Sequence, residues 1–242
     1  MDITLNVNGF DIAARFDDAA VSGIFLPLLR TLTRRQREIN RRLVVFLAAP
    51  PGTGKSTLAA LLERLSSVTP GLTPLQALGL DGFHYHQDYI LSHTVLRDGA
   101  EIPMRLIKGA PESFDVEKLR RALSAIHSDG LRWPLYDRQL HDVVEDAIPV
   151  RAPIALIEGN WLLLDAPEWS ALPRDANIFI HADAALLRGR LIERKVRGGF
   201  SREEAEAHYL RSDGPNVLRC LSNRLPADWT LAMSGDGKYQ MI

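Results

Sequence analysis

Nine consecutive residues carry the strongest chemical signal in the 242-residue chain: Ala49-Pro50-Pro51-Gly52-Thr53-Gly54-Lys55-Ser56-Thr57. They fit the Walker A pattern, with alanine at the first glycine position. Gly52 and Gly54 let the backbone turn tightly enough for successive N–H groups to converge on a phosphate. A helix that starts there adds the partial positive charge of its N-terminus. Lys55 can reach β- and γ-phosphates, and the Ser56 hydroxyl can ligate Mg²⁺. The run Pro51, Gly52, Thr53, Gly54, Lys55, Ser56 and Thr57 therefore predicts a nucleotide-phosphate site. Alone it does not separate a kinase from a GTPase or an ATPase motor, although the Asn-Lys-x-Asp mark of guanine specificity does not occur.

Two acids follow at the ends of apolar runs. Asp81 stands in Leu80-Asp81-Gly82-Phe83-His84, and Glu158 in Glu158-Gly159-Asn160. A carboxylate at the C-terminal edge of a parallel strand faces the ligand crevice of an open α/β sheet. There Asp81 can take a proton from an attacking hydroxyl or help to hold Mg²⁺; an ordinary Asp-Gly turn is the plain alternative. For Glu158 the plain alternative is a strand-terminating turn.

The elements that must position these groups can be read from periodicity. Residues 3–7 and 10–16 alternate around Asn8-Gly9, which predicts a hairpin. Residues 17–40 read as helix with a break near Pro27. Short apolar runs at 43–47, 75–80, 154–157 and 177–180 predict buried parallel strands. Helices are expected at 54–67, at 115–128 capped by Asp115, at 183–196, and at 202–212 opened by a Ser201–Glu204 capping box. Segments 229–233 and 238–242 suggest a terminal hairpin. Strand–helix alternation argues for an α/β domain with a mainly parallel sheet. The expected division is a hairpin and helix appendage at 1–40 and a main domain at 41–242.

Composition narrows the partners. The chain is 46% hydrophobic and 24% charged, with 29 basic against 30 acidic residues, which suits a globular protein and disfavours a polyanion such as nucleic acid. Only five of the basic residues are lysines. No apolar run reaches the roughly 20 residues of a membrane span, no signal-like N-terminus is visible, and Cys220 is the single cysteine. These features predict a cytoplasmic protein without a membrane partner. They do not fix its oligomeric state.

Five blocks in order give a resemblance. The Walker A loop is followed by Asp81-Gly82-Phe83-His84, then Lys108-Gly109-Ala110-Pro111-Glu112-Ser113-Phe114-Asp115, Pro134-Leu135-Tyr136-Asp137 and Glu158-Gly159. Together they resemble the uridine kinase, type I pantothenate kinase and phosphoribulokinase family over about residues 43–225. Within it they are most similar to the bacterial YggC-type and fructose-kinase-like members, through the added Tyr-Asp-Arg and Glu-Gly-Asn-Trp-Leu-Leu-Leu matches. The resemblance implies a three-layer P-loop NTPase fold. It also implies ATP- and Mg²⁺-dependent transfer of the γ-phosphate to a hydroxyl of a small sugar- or nucleoside-like metabolite. It makes Asp81 the catalytic base and Glu158 the acid that serves metal or acceptor. Lys108 and Tyr136 would line the acceptor pocket. Arg190, Arg194 and Arg197 would close from a lid around 188–202, and Asp213-Gly214-Pro215-Asn216 would follow that lid. A nucleotide-hydrolysing regulatory ATPase without a small acceptor is the alternative.

Other signals have bland readings beside the sharp ones. His84 and Tyr85 are candidates for acceptor contacts, whereas a His84–His86 metal pair lacks further ligands at zinc-like spacing. His141, Asp142, Glu145 and Asp146 read equally as an extension of the acceptor site or as a polar loop. Arg190, Arg194 and Arg197 are spaced four and three apart and share a helix face, which elsewhere would read as a solvated stripe. The arginines Arg30, Arg34, Arg35, Arg37, Arg41 and Arg42 read as a solvated helix end. Phe83, Trp161, Leu162, Leu163, Leu164 and Cys220 read as core.

Overall fold

The computed structural model describes residues 1–7, 9–97 and 99–242. Six strands form the central sheet: β3 (Leu43–Ala48), β4 (Leu75–Gly79), β9 (Ile154–Gly159), β10 (Ala176–Ala182), β11 (Trp229–Met233) and β12 (Tyr239–Met241), in the order β12-β11-β10-β3-β9-β4. All neighbours are parallel except the β11–β12 edge pair.

The apolar runs make both faces of this sheet. Leu43, Val45 and Leu47 point into one core while Val44, Phe46 and Ala48 point into the other. Ile154 and Leu156 alternate with Ala155 and Ile157 in the same way. Such two-sided burial is what continuous apolar strands of a parallel sheet require.

One face is covered by helices α1 (18–39), α2 (Lys55–Val68) and α6 (Ala184–Arg197). The other is covered by α4 (Val116–Ser124), by α5 (Pro167–Ser170) and by Cys220 of α7 (202–222). A short helix α3 (Gln87–Ser92) and two hairpins lie outside the sheet, between β4 and β9 in sequence. The hairpins are β5 (Thr94–Arg97) with β6 (Ala100–Pro103), and β7 (Arg132–Asp137) with β8 (Asp142–Pro149). Both escape the alternation signal: β5 and β6 are only four residues each, and a register shift between Trp133 and Leu135 breaks the period in β7. The second half of α7, Gly214–Ser222, lies beyond the expected helix at 202–212; it continues that helix through a π turn at Tyr209–Asp213.

At the N-terminus β1 (Asp2–Val7) pairs with β2 (Phe10–Arg15) as the alternation predicts. Asn8 of the expected turn lies outside the described residues; Gly9 takes a φ of 84°. Helix α1 does not break at Pro27. A π turn over Val21–Phe25 precedes the proline, which sits in the first turn of the α-helical part, where its missing N–H costs little. Leu5, Phe16, Phe25, Leu28, Leu29 and Leu32 enter the same core as β3 and α2, so one core runs across residue 40.

Arg30, Arg34 and Arg37 are exposed, as a solvated helix end requires, but Arg41 and Arg42 are not of that kind. Arg41 donates to both carboxylate oxygens of Asp175, at 2.9 and 2.6 Å. Arg42 donates to the carbonyls of Ala152 at 2.9 Å and of Ile126. Chain segments arriving from 126, 150–152 and 175 supply acceptors that no local pattern announces. Asp115 does cap α4 through the Lys118 N–H at 2.8 Å, and the Ser201–Glu204 capping box forms. Helix α4 ends at Ser124, four residues before its expected end.

Candidate active site

The site lies along the C-terminal ends of β4, β9 and β3, three neighbours in the sheet. Register sets Glu158 level with Leu47 on one side and Gly79 on the other. Glu158 thus stands beside the start of the phosphate loop, and Asp81 follows β4 by two residues in a 3₁₀ turn, Leu80–Phe83.

In the loop Gly52 and Gly54 take φ of 87° and 81°, a region costly for side-chain-bearing residues, whereas Ala49 does not take a positive φ. A Cβ on Gly52 would meet Leu191 of α6 at 3.0 Å, so the loop leans on the helix that carries the arginines. Thr53 is buried and donates its hydroxyl to the Pro50 carbonyl at 3.0 Å, which braces the turn. Lys55 then opens α2.

Ser56 donates to Glu158 Oε1 at 2.6 Å, and Lys55 Nζ lies 3.8 Å from Glu158 Oε2. Burial pushes the Glu158 carboxyl up, with the Asp81 charge in the same sense; the Lys55 ammonium and the Ser56 hydroxyl oppose it. Among the described residues no group of three or more His, Cys, Asp or Glu side chains is placed to hold a metal by itself. A hydroxyl and carboxylates beside a phosphate loop are instead the oxygen donors with which Mg²⁺ is held jointly with substrate phosphates. Ser56, Glu158 and Asp81 fit that ion.

A cleft of about 730 Å³ gathers the remaining groups. It is lined by the loop residues Pro51, Gly52, Gly54, Lys55, Ser56 and Thr57, by Asp81, His84 and Lys108, and by Arg190, Arg194 and Arg197. Tyr136 and Glu158 do not line this cleft; they share a smaller adjoining recess with Asp81. His84 stacks on Phe114 at 3.8 Å, and its Nδ1 lies 3.1 Å from the Ser113 carbonyl. Burial pulls the His84 pKa down, against the Asp81 charge, so the ring is neutral at pH 7. Lys108 donates to Tyr136 at 2.9 Å and to Gln87. Two indoles brace this wall: Trp133 donates to the Gly79 carbonyl at 2.8 Å and Trp161 to that of Gly109 at 2.9 Å.

Not every expected group is brought in. Tyr85 turns to a separate outer recess, where its ring stacks on Tyr89 at 4.4 Å. Alternate residues of an extended loop point opposite ways, so His84 facing the cleft sends Tyr85 out. His86 does not pair with His84; it lies 3.0 Å from Glu145 and 3.4 Å from Asp142. Asp142 and Glu145 therefore belong to a polar contact outside the cleft. Phe83 and Trp161 are fully buried, and burial pushes the Cys220 thiol up to about 12, as expected of core.

Sequence reasoning missed Arg138, which lines both the cleft and the recess and acts on Glu158 through its charge. Its signal was its place directly after Tyr136-Asp137. It also missed Asn160, which lines the cleft with its Oδ1 buried and without a hydrogen-bond partner, and Val7, Phe10 and Ile12 of the N-terminal hairpin.

A mainly parallel sheet whose central strand feeds a Walker A loop, with acids at the ends of the next two strands, defines a P-loop nucleotide-binding fold. No protein-family model matches the chain. Over 242 residues, 99% of this chain and 98% of the relative, it is 46% identical to the uncharacterized protein YggC of Escherichia coli K12. It is 31% identical over 176 residues to the "putative uridine kinase C227.14" of Schizosaccharomyces pombe, covering 69% of this chain and 72% of that one. The crystal structure of the "putative fructose transport system kinase" of Silicibacter sp. TM1040 superposes with a TM-score of 0.75 at 31% identity, covering 87% of this chain and 98% of that one. The chain belongs to the P-loop kinase family of YggC-type, uridine kinase and pantothenate kinase proteins. Among the described residues no helix is long and apolar enough to cross a membrane.

Proposed function

We propose that the protein transfers the γ-phosphate of ATP to a hydroxyl of a small sugar- or nucleoside-like metabolite, in a reaction that uses Mg²⁺. The carrying observation is that Lys55, Ser56 and Asp81 line one cleft together with cations and a neutral histidine, while Glu158, in the adjoining recess, contacts both Ser56 and Lys55. Phosphoryl transfer asks mainly for alignment and charge neutralisation. Mg²⁺, when bound, supplies neutralisation of the phosphate oxygens. Lys55 and the loop N–H groups hold the β- and γ-phosphates. Asp81 takes the acceptor's hydroxyl proton as its oxygen attacks. Lys108, Tyr136 and His84 position the acceptor, with Arg138 beside them. Arg190, Arg194 and Arg197 close from a lid around 188–202, turning on Gly198-Gly199, and exclude water that would otherwise compete as acceptor. In this reading residues 41–242 form the catalytic body.

The test is an ADP-release screen of the full chain across sugars, nucleosides and small hydroxy acids, run beside Asp81→Asn and Lys55→Ala. An acceptor that accelerates ADP release is expected. Asp81→Asn should slow transfer by about 10³-fold while ATP affinity stays within about threefold, and Lys55→Ala should weaken both. Steady ATP hydrolysis that no acceptor accelerates would point to the regulatory ATPase, and near-normal transfer by Asp81→Asn would remove the base assignment.

A further inference from the structure

The N-terminal hairpin is two-faced. Residues opposite one another in an antiparallel pair share a face, and the register is Ile3↔Ala14, Leu5↔Ile12 and Val7↔Phe10. All six are apolar. The reverse face is polar, with Asn6 donating to Asp11 at 3.1 Å and Arg15 paired with Asp2 at 3.2 Å. The apolar face is covered unevenly. At the root Leu5 is buried in the core against α2, and Phe16 meets Phe25 edge-on at 6.2 Å. Towards the tip the cover ends: Phe10 is 47% and Ile12 40% exposed. With Val7 these two form part of the wall of the phosphate-loop cleft.

The direction of the cleft says what that wall meets. The γ-end of a triphosphate on this loop lies by Lys55, on the side of β9 and β4 where Glu158 and Asp81 stand. With its γ-end there, the nucleoside end would leave in the opposite direction, past Thr57 of the cleft wall and towards β10 and β11. The hairpin belongs to that side: Phe25, which holds its root, packs on Tyr239 of the far edge strand β12 at 5.3 Å. Arg190 on the same side donates to the Met233 sulfur at 3.2 Å. Phosphates have loop amides and arginines to meet and gain nothing from Val, Phe and Ile. The acceptor groups are at the other end. What remains is a flat, weakly hydrated ring.

We infer that the distal half of the hairpin, Phe10 with Val7 and Ile12, is the subsite that covers the base of the nucleotide. Phe10 supplies a stacking face and the two aliphatic side chains exclude water around it. The inference rests on the kinase reading only in taking the loop to hold a nucleoside triphosphate.

Calorimetric titration of the full chain with Mg²⁺-ATP and with inorganic tripolyphosphate tests it. Tripolyphosphate has the charge and no base. Phe10→Ala should weaken ATP about tenfold and leave tripolyphosphate within about twofold, and Phe10→Tyr should restore ATP to within about threefold. Ile12→Ala, at a somewhat less exposed position, should give a smaller loss in the same direction. Unchanged ATP affinity in Phe10→Ala, or equal losses for both probes, would overturn the base subsite. Failure of the nucleotide reading has a separate signature: Lys55→Ala would then bind both probes as tightly as the unaltered protein, and the subsite would fall with it.

Discussion

Arginines stand four and three residues apart at Arg30, Arg34 and Arg37 on helix α1 and again at Arg190, Arg194 and Arg197 on helix α6. Each set lines a hollow, of about 450 Å³ on α1 and about 730 Å³ on α6. The hollow on α1 brings its own acceptors. Arg37 donates to the Gly71 carbonyl at 3.1 Å, and Arg34 lies 3.9 Å from Glu38. Arg35 lies over the Trp229 ring at 4.7 Å, and Arg41 and Arg42 tie the helix end to Asp175 and to the carbonyls of Ile126, Val150 and Ala152. The hollow on α6 instead faces the phosphate loop, and among the described residues none of its three arginines has an acidic partner within ion-pair distance. The lesson is that spacing puts guanidiniums on one face, while the opposing surface decides their use. Arg41 and Arg42, answered by carbonyls and a carboxylate, are structural; the α6 set faces a loop of N–H groups with no acid opposite it.

The sharpest way to break this comparison is to remove two arginines from each helix. Arg194→Ala with Arg197→Ala should lower turnover by about 10²-fold, with the melting temperature within a degree or two, because charge neutralisation in the transition state is lost. Arg30→Ala with Arg34→Ala should leave turnover within about twofold. Equal effects from the two pairs would erase the distinction. Next in size is Arg42→Ala, which leaves the carbonyls of Ala152 and Ile126 without their donor. The expected loss is about 2 kcal/mol, or about 6 °C in melting temperature for a chain of this length, with activity at 25 °C retained. A catalytic defect without a stability defect would reverse the assignment.

How much of this was visible in the sequence follows the same line. Lys55, Ser56, Glu158 and Asp81 sit on or next to strands whose apolar runs are continuous, and there a motif and its position in the sheet are read together. Groups fixed by the β5–β6 and β7–β8 hairpins were harder. Tyr85 was expected in the cleft and faces outward, because residue-by-residue direction in a loop follows from backbone torsions that composition does not encode. Arg138 carries no local mark beyond its place beside Tyr136-Asp137. In the sequence Phe10 reads as a hairpin position alone, since nothing local says that it shares a cleft with a loop at 51–57. Long-range pairing also decided the α1 arginines: Asp175 lies more than 130 residues from Arg41.

The Arg41–Asp175 pair gives the smallest effect and the one with a sign in pH. Burial opposes ionisation of Asp175, but hydrogen bonds from Arg41 and from the Val44 N–H outweigh it and hold the carboxyl below its ordinary range. A depressed carboxyl stabilises the native state fully above the unfolded value of about 4, and this contribution is lost as pH falls through the lower folded value. Asp175→Asn should therefore be less stable than the unaltered protein by about 1 kcal/mol at pH 7, and the gap should close in denaturant titrations below about pH 4. His127 lies 3.4 Å from Arg41, and its pKa is lowered by burial and then by Arg41. Its own loss of native stability on protonation begins as pH falls through about 6.5, so it starts above the carboxyl window. A gap that stays constant from pH 7 to pH 3 would mean that the pair only fills space. Arg41 would then belong with the solvated arginines rather than with those that hold α1 to the sheet.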